Sequence, residues 1–121
     1  MNVSEVLSAG QKQLLCLARA LLCNNRIVIL DEATASVDLE TDRLVHHCIH
    51  AHFKGRTIIN IVHKLNTIAD YDKILVLRNG KLVEKGTPLQ LLKLEGRFHE
   101  LVENSGNASV IRAIMMAKDT R

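Results

Sequence analysis

Two adjacent carboxylates, Asp31 and Glu32, stand at the end of the apolar run Ile27-Val28-Ile29-Leu30. An unbroken run of this kind predicts a strand buried on both faces. In open α/β sheets the C-terminal ends of strands are where ligands bind. Asp31 is therefore placed to partner Mg²⁺, and Glu32 to polarise a water for attack on a phosphate. The alternative is that the pair merely caps a strand and begins a turn. Two further features favour chemistry. Upstream, Leu7-Ser8-Ala9-Gly10-Gln11 is a small-residue turn at a helix N-terminus, where free N–H groups and the helix dipole attract phosphate. Downstream, His63 closes the next apolar run and would lie beside Glu32 if the two strands are neighbours.

The elements that must position these groups follow from periodicity. Leu14, Leu17, Ala18, Leu21 and Leu22 recur at helical spacing, and Ser8 with Gln11 has the form of a capping box, so a helix starts at Ser8 and stops at Asn24-Asn25. After Asp31-Glu32, a short connection over Ala33 to Asp38 leads into a second amphipathic helix carrying Leu44, Val45, Cys48, Ile49 and Phe53, with Asp38 as its N-cap. Thr57 to Val62 is a second buried strand. A short helix around Leu65 to Ala69 leads to a third strand, Ile74 to Leu77. Asn79-Gly80 then predicts a type I′ hairpin into Lys81-Leu82-Val83-Glu84. Thr87-Pro88 is an N-cap followed by proline at the first helical position, opening a helix to Leu94, and Arg97 to Glu103 makes a further turn or two. Beyond Gly106 the patterning weakens, so residues 107–121 are expected to be a mobile tail, with at most a short helix at Val110 to Met116. Strands separated by helices imply parallel pairing, with an antiparallel hairpin at one edge: an α/β domain.

Composition narrows the function. The 121 residues are 47% hydrophobic and 24% charged with a single proline, which is globular rather than disordered. A formal charge of +3 is too mild for a nucleic-acid binder, and 2% aromatic content leaves little for base stacking. No apolar run approaches the length of a bilayer span, and Met1 opens onto polar Asn2 and Ser4 rather than a secretion signal. Cys16, Cys23 and Cys48 form no C-x-x-C pair, and their odd number suits a reducing cytosolic setting. In that setting the triplets Asn2-Val3-Ser4 and Asn107-Ala108-Ser109 are chance matches to a glycosylation pattern.

Taken together, the motifs resemble those of the ATP-binding cassette (ABC) ATPases, most closely the exporter-type nucleotide-binding domains of the multidrug-resistance-associated subfamily. Leu7 to Gln11 with Ala18-Arg19-Ala20-Leu21 matches the signature and its helix. Ile27 to Glu32 matches the Walker B strand, Ala35-Ser36-Val37-Asp38 the D-loop, and His63 the switch histidine. The likeness continues through Asp72 to Gly80 and Glu84-Lys85-Gly86-Thr87, so it covers Leu7 to Gly106, the C-terminal portion of such a domain. The resemblance implies a partial P-loop-type parallel sheet with helices and a C-terminal antiparallel hairpin. It implies ATP and Mg²⁺ as ligands, with Asp31 holding the metal through water and Glu32 as general base or water-positioner. His63 would contact the γ-phosphate and the Glu32 side. Two cassettes close head to tail in this family, so Ser8, Ala9, Gly10 and Gln11 would contact ATP held mainly by the other cassette, while Ser36 and Asp38 couple the two sites. Ala9 stands where the commonest signature has glycine. The implied partners are a second cassette and the transmembrane domains of an exporter, at the cytosolic face of a membrane that this chain does not itself enter.

The family's adenine-stacking aromatic, phosphate loop and glutamine loop have no counterpart here. None of Gly10, Gly55, Gly80, Gly86, Gly96 and Gly106 begins a G-x-x-x-x-G-K-[ST] pattern. The chain alone is therefore expected to bind ATP weakly, to hydrolyse it negligibly, and to leave apolar faces of Ile27 to Leu30 and Ile58 to Val62 exposed. Two other readings remain. One is a non-transport ABC ATPase, which specific nucleic-acid binding would support; the other is a non-catalytic truncated cassette that pairs with an intact one.

Three features have bland explanations. His46, His47, Cys48, His50 and His52 cluster, and His46 with His50 has a spacing able to hold a metal. Cys48 belongs to the apolar stripe, however, and the histidines are expected to face mostly solvent. Arg19 and Lys64 suit surface ion pairing as well as phosphate, and Met115-Met116 suits a frayed tail better than a partner groove.

Overall fold

The computed structural model describes residues 6–119. The lead-in over residues 1–5, including Asn2-Val3-Ser4, lies outside the described residues. The chain divides into two units, one ending at His63 and the other beginning at Lys64.

In the first unit, helix α1 (Ala9–Leu22) starts at Ser8, whose extended backbone and side chain form the expected capping box with Gln11. Strand β1 (Ile27–Asp31), helix α2 (Leu39–His52) and strand β2 (Thr57–Ile61) follow. The β–α–β connection places β1 parallel to β2, with Ile27 opposite Thr57 and Asp31 opposite Ile61. Leu17, Val28, Leu30, Ile49 and Phe53 make the core, with Leu21, Ala33, Val45 and Ile58 packed against it. Only one sheet face is covered: Val28 and Leu30 are buried, whereas Ile27 is 60% and Ile29 66% exposed. Ile59 and Ile61 lie half-exposed on the same open face. The strand composition for burial on both faces is thus met on one face by α1 and α2.

Two details of the helices depart from the expected stripes. In α1, Leu17 carries the contact while Leu22 lies 88% exposed past the core. In α2, Leu44 and Cys48 face solvent, and His46, expected outside, is buried. The buried line is Asp42, His46, Ile49 and Phe53, one face at helical spacing. His46 Nε2 lies 3.2 Å from Asp42 Oδ1 and 3.4 Å from Thr34 Oγ1, so an imidazole, a carboxylate and a hydroxyl are gathered inside that face.

The second unit begins with a 3₁₀ turn at Ile68–Asp70, where a short helix at Leu65 to Ala69 was expected. Strands β3 (Ile74–Arg78) and β4 (Lys81–Gly86) form an antiparallel hairpin. Asn79 and Gly80 both have positive φ, as a type I′ turn requires. The hairpin is a ladder of its own, separate from β1–β2, rather than an edge of one sheet. Helix α3 (Pro88–Leu94) has the expected Thr87 cap and first-position proline. Helix α4 (Arg97–Glu103) begins at Gly96, which has no side chain to cap it. Glu84 of β4 supplies the cap instead, its carboxylate accepting the N–H groups of Arg97 at 2.8 Å and Phe98 at 2.9 Å. Glu84→Ala is expected to cost about 1–3 kcal/mol, because two charge-assisted hydrogen bonds go together. Faster amide exchange at Phe98 measures the loss, and unchanged exchange there contradicts it.

Where a tail was expected, helix α5 (Ala108–Asp119) packs through Ile111 and Met115, both at most 2% exposed. Their four-residue spacing puts them on one face, over the 3₁₀ turn and α3. Lys118 Nζ lies 3.4 Å from Asp70 Oδ1 at the same contact. Among the described residues no helix is long and apolar enough to cross a membrane.

Candidate functional site

The C-terminal ends of β1 and β2 bring Glu32 and His63 together. The parallel register carries one step past the strands, where Glu32 N–H donates to the Ile61 carbonyl at 2.9 Å. His63 follows Ile61 by two residues, and its Nε2 meets Glu32 Oε1. His63 is 79% and Glu32 41% exposed at the side chain, so the pair is open to a substrate and its attraction is screened by water.

Glu32 itself has φ 50°, in the left-handed region that non-glycine residues seldom occupy. Such a conformation costs about 1–3 kcal/mol and persists where the surroundings enforce it. Here the strand ladder holds the N–H, and the carbonyl accepts Ala35 N–H at 3.1 Å. A second turn, Val37 N–H to the Thr34 carbonyl at 3.2 Å, completes the passage to α2.

Asp31, the last residue of β1, presents an exposed carboxylate on the open sheet face. A single hard oxygen donor beside the Glu32–His63 pair fits Mg²⁺, which keeps several waters and takes substrate phosphates for the rest. Among the described residues no group of three or more His, Cys, Asp or Glu is assembled to hold a metal, and the histidines of α2 form no such cluster.

At the start of α1, the capping box takes up the N–H of Gln11 at 3.2 Å and of Ser8 at 2.9 Å. The Ser8 hydroxyl accepts one of these bonds and keeps its own proton to donate. The N–H groups of Ala9 and Gly10 lie in the first turn of the helix, a position that suits an anion. Arg19 lies in the last turn, where its charge meets the helix dipole favourably.

Ser36 and Asp38 sit on the connection between β1 and α2. Asp38 is the N-cap of α2, accepting Thr41 N–H at 3.2 Å. Hydrogen bonds from the Thr41 side chain, then its backbone, hold the Asp38 carboxyl below its ordinary value of 3.8. The cap is therefore at full strength above that value and fades as pH falls through the lower folded one.

The connection also packs on α1. A Cβ built at Gly10 would stand 2.8 Å from the Ser36 carbonyl oxygen and 3.6 Å from Val37 Cγ2. Gly10→Ala is expected to lower the urea midpoint despite alanine's better helix propensity, by about 1–3 kcal/mol of overpacking against backbone. A raised midpoint would show that the helix can move aside. Gln13, which the sequence reading passed over, bridges the same gap. Its Oε1 accepts Ser36 N–H at 2.8 Å, and its Nε2 donates to the Glu32 carbonyl at 3.4 Å. Nothing in its spacing distinguishes it from a solvent-facing glutamine.

The model of the ABC transporter family matches residues 1–35. ATP-binding cassette sub-family C member 2 of Homo sapiens is 51% identical over 104 residues, which are 86% of this chain and 7% of that protein. The metal resistance protein YCF1 of Saccharomyces cerevisiae is 59% identical over 101 residues, 83% of this chain and 7% of its own. The chain thus spans about 7% of the length of these curated relatives. A solved structure of a bacterial Atm1-family ABC exporter with ATP bound superposes with a TM-score of 0.76 at 41% identity, covering 80% of this chain and 17% of the exporter chain. With about half of its residues shared with these proteins and its fold shared with an exporter, the chain belongs to the ATP-binding cassette transporter family, as part of an exporter-type nucleotide-binding domain of the multidrug-resistance-associated kind.

Proposed function

We propose that this chain supplies the hydrolytic and signature residues of an ABC exporter's ATPase, whose complete form couples ATP hydrolysis to transport across a membrane. The observation that carries the reading is the meeting of Glu32 and His63 beyond two adjacent parallel strands. Glu32 accepts a proton from the water that attacks the γ-phosphate, and His63 orients that carboxylate through Nε2 and reaches the phosphate in turn. Asp31 would hold Mg²⁺ through water, and the bound ion would supply charge neutralisation for phosphoryl transfer.

Ser8, Ala9, Gly10 and Gln11 serve a nucleotide held by a second cassette, through the Ser8 hydroxyl and the first-turn N–H groups of α1. Ser36 and Asp38 lie between the two functions, one packed on α1 and the other starting α2. The open apolar face of β1–β2 supports a larger assembly, since Ile27, Ile29, Ile59 and Ile61 form a contiguous patch of a kind usually covered. No G-x-x-x-x-G-K-[ST] sequence occurs in the 121 residues, so the phosphate cradle belongs to other parts of a complete cassette.

A chimera tests the reading. The 104 matched residues of the human relative are replaced by this chain's, and phosphate release is measured for the chimera and for the isolated 121-residue chain. The chimera is expected to turn over ATP and the isolated chain is not. A silent chimera that folds and reaches the membrane sinks the proposal.

A further inference from the structure

Gln13 joins two parts of the first unit that the proposed function assigns to different nucleotides. It lies in α1 one turn beyond Gly10, so the helix meets the β1–α2 connection at two levels. At Gly10 the contact is steric, backbone against the Ser36 carbonyl. At Gln13 it is polar and two-sided, with Ser36 N–H donating to Oε1 at 2.8 Å and Nε2 donating to the Glu32 carbonyl at 3.4 Å. Only a primary amide offers an acceptor and a donor side by side at that reach, and the partners fix which way round it stands.

The Glu32 end matters because that residue's backbone is left-handed at φ 50°. Its N–H is held by Ile61 and its carbonyl by Ala35, but both are local to the strand ends and the turn. The Gln13 amide anchors this turn to α1. Without it, the carbonyl of Glu32 and the amide of Ser36 face a gap beside the helix, and the direction in which the Glu32 side chain leaves the backbone is less constrained.

We propose that Gln13 is a positioning residue whose side-chain amide locks the Glu32–Ser36 turn to α1, so that the signature residues Ser8 to Gln11 and the Glu32 carboxylate move as one piece. The inference rests on the functional reading above. Under it, nucleotide engagement at the head of α1 displaces Glu32 at the opposite site through this bond. Mechanical coupling of the two sites then runs through a side chain of the helix in addition to the backbone of the connection.

Two substitutions separate the two ends of the amide. Gln13→Met keeps the size and removes both bonds. Gln13→Glu keeps an acceptor for Ser36 N–H and sets an oxygen against the Glu32 carbonyl. In the full 121-residue chain, Gln13→Met is expected to speed exchange of the Ser36 amide by about tenfold, while Gln13→Glu leaves it slow. In the chimera, both are expected to lower kcat by about 10- to 100-fold with KM for ATP unchanged. Slow Ser36 exchange together with lost kcat in Gln13→Glu is a split that a merely structural role does not produce. Unaltered kcat in Gln13→Met overturns the proposal, as does a Ser36 amide that already exchanges at the free-chain rate in the native sequence. If instead Glu32→Gln leaves turnover intact, it is the functional reading that fails, and the exchange data alone then judge the bond.

Discussion

Glu32→Gln is expected to cut ATP turnover of the chimera by about 10²–10⁴-fold, the usual contribution of a positioned general base. The substitution is nearly isosteric and leaves the backbone bonds to Ile61, Ala35 and Gln13 in place, so the left-handed turn is preserved. What it removes is the capacity to take a proton from the attacking water. His63 Nε2 still finds an oxygen to contact, because the amide keeps one acceptor. Nucleotide binding is therefore expected to survive and the bound state to outlast its ordinary lifetime, with kcat lost and KM little changed. Phosphate release and equilibrium nucleotide binding, measured on the same preparation, separate the two. Turnover within about two-fold of the native chimera would falsify the assignment of Glu32 as base.

Much of this site was legible because it rests on local rules. The apolar run Ile27 to Leu30, broken by Asp31-Glu32, announces both a strand and the place where it stops, and the helical stretch before Thr57 implies the parallel pairing that brings His63 to Glu32. Ser8, Asp38 and Thr87 show as caps because a short polar side chain there satisfies N–H groups that no helix can. Asn79-Gly80 shows as a turn because both residues tolerate positive φ.

What escaped depends on contacts between distant residues. Gln13 is one polar residue among several on α1 until the Ser36 amide is placed opposite it. His46 reads as a surface histidine, and only the proximity of Asp42 and Thr34 makes its burial tolerable. The weak patterning after Gly106 hides α5 because only Ile111 and Met115 among its described residues are buried. Likewise, the apolar composition of β1 says that two faces are built for cover; it does not say which elements provide each.

That open face gives the sharpest contrast in stability. Phe53 is 1% exposed and closes the core against Leu17, Val28, Leu30 and Ile49. The Arg56 guanidinium lies over its ring, 5.2 Å from the centroid, and reaches on to the Cys23 carbonyl at 3.1 Å and Asn24 Oδ1 at 3.2 Å. One side chain thus supports both the core and the strap between the ends of α1 and α2. Phe53→Ala is expected to cost about 3–5 kcal/mol, enough to unfold a unit of this size, since whole domains have only about 5–15 kcal/mol. Ile29→Ala, on the open face of the same sheet, is expected to cost no more than about 0.5 kcal/mol in the isolated chain. Amide exchange at Val28 and Leu30 reads both variants at the strand itself. Equal losses would mean that the face bearing Ile29 is covered even in the isolated chain. In the chimera the contrast should narrow, because burying that face against the rest of a cassette gives Ile29 the packing it lacks here, and its truncation then costs about 2–5 kcal/mol.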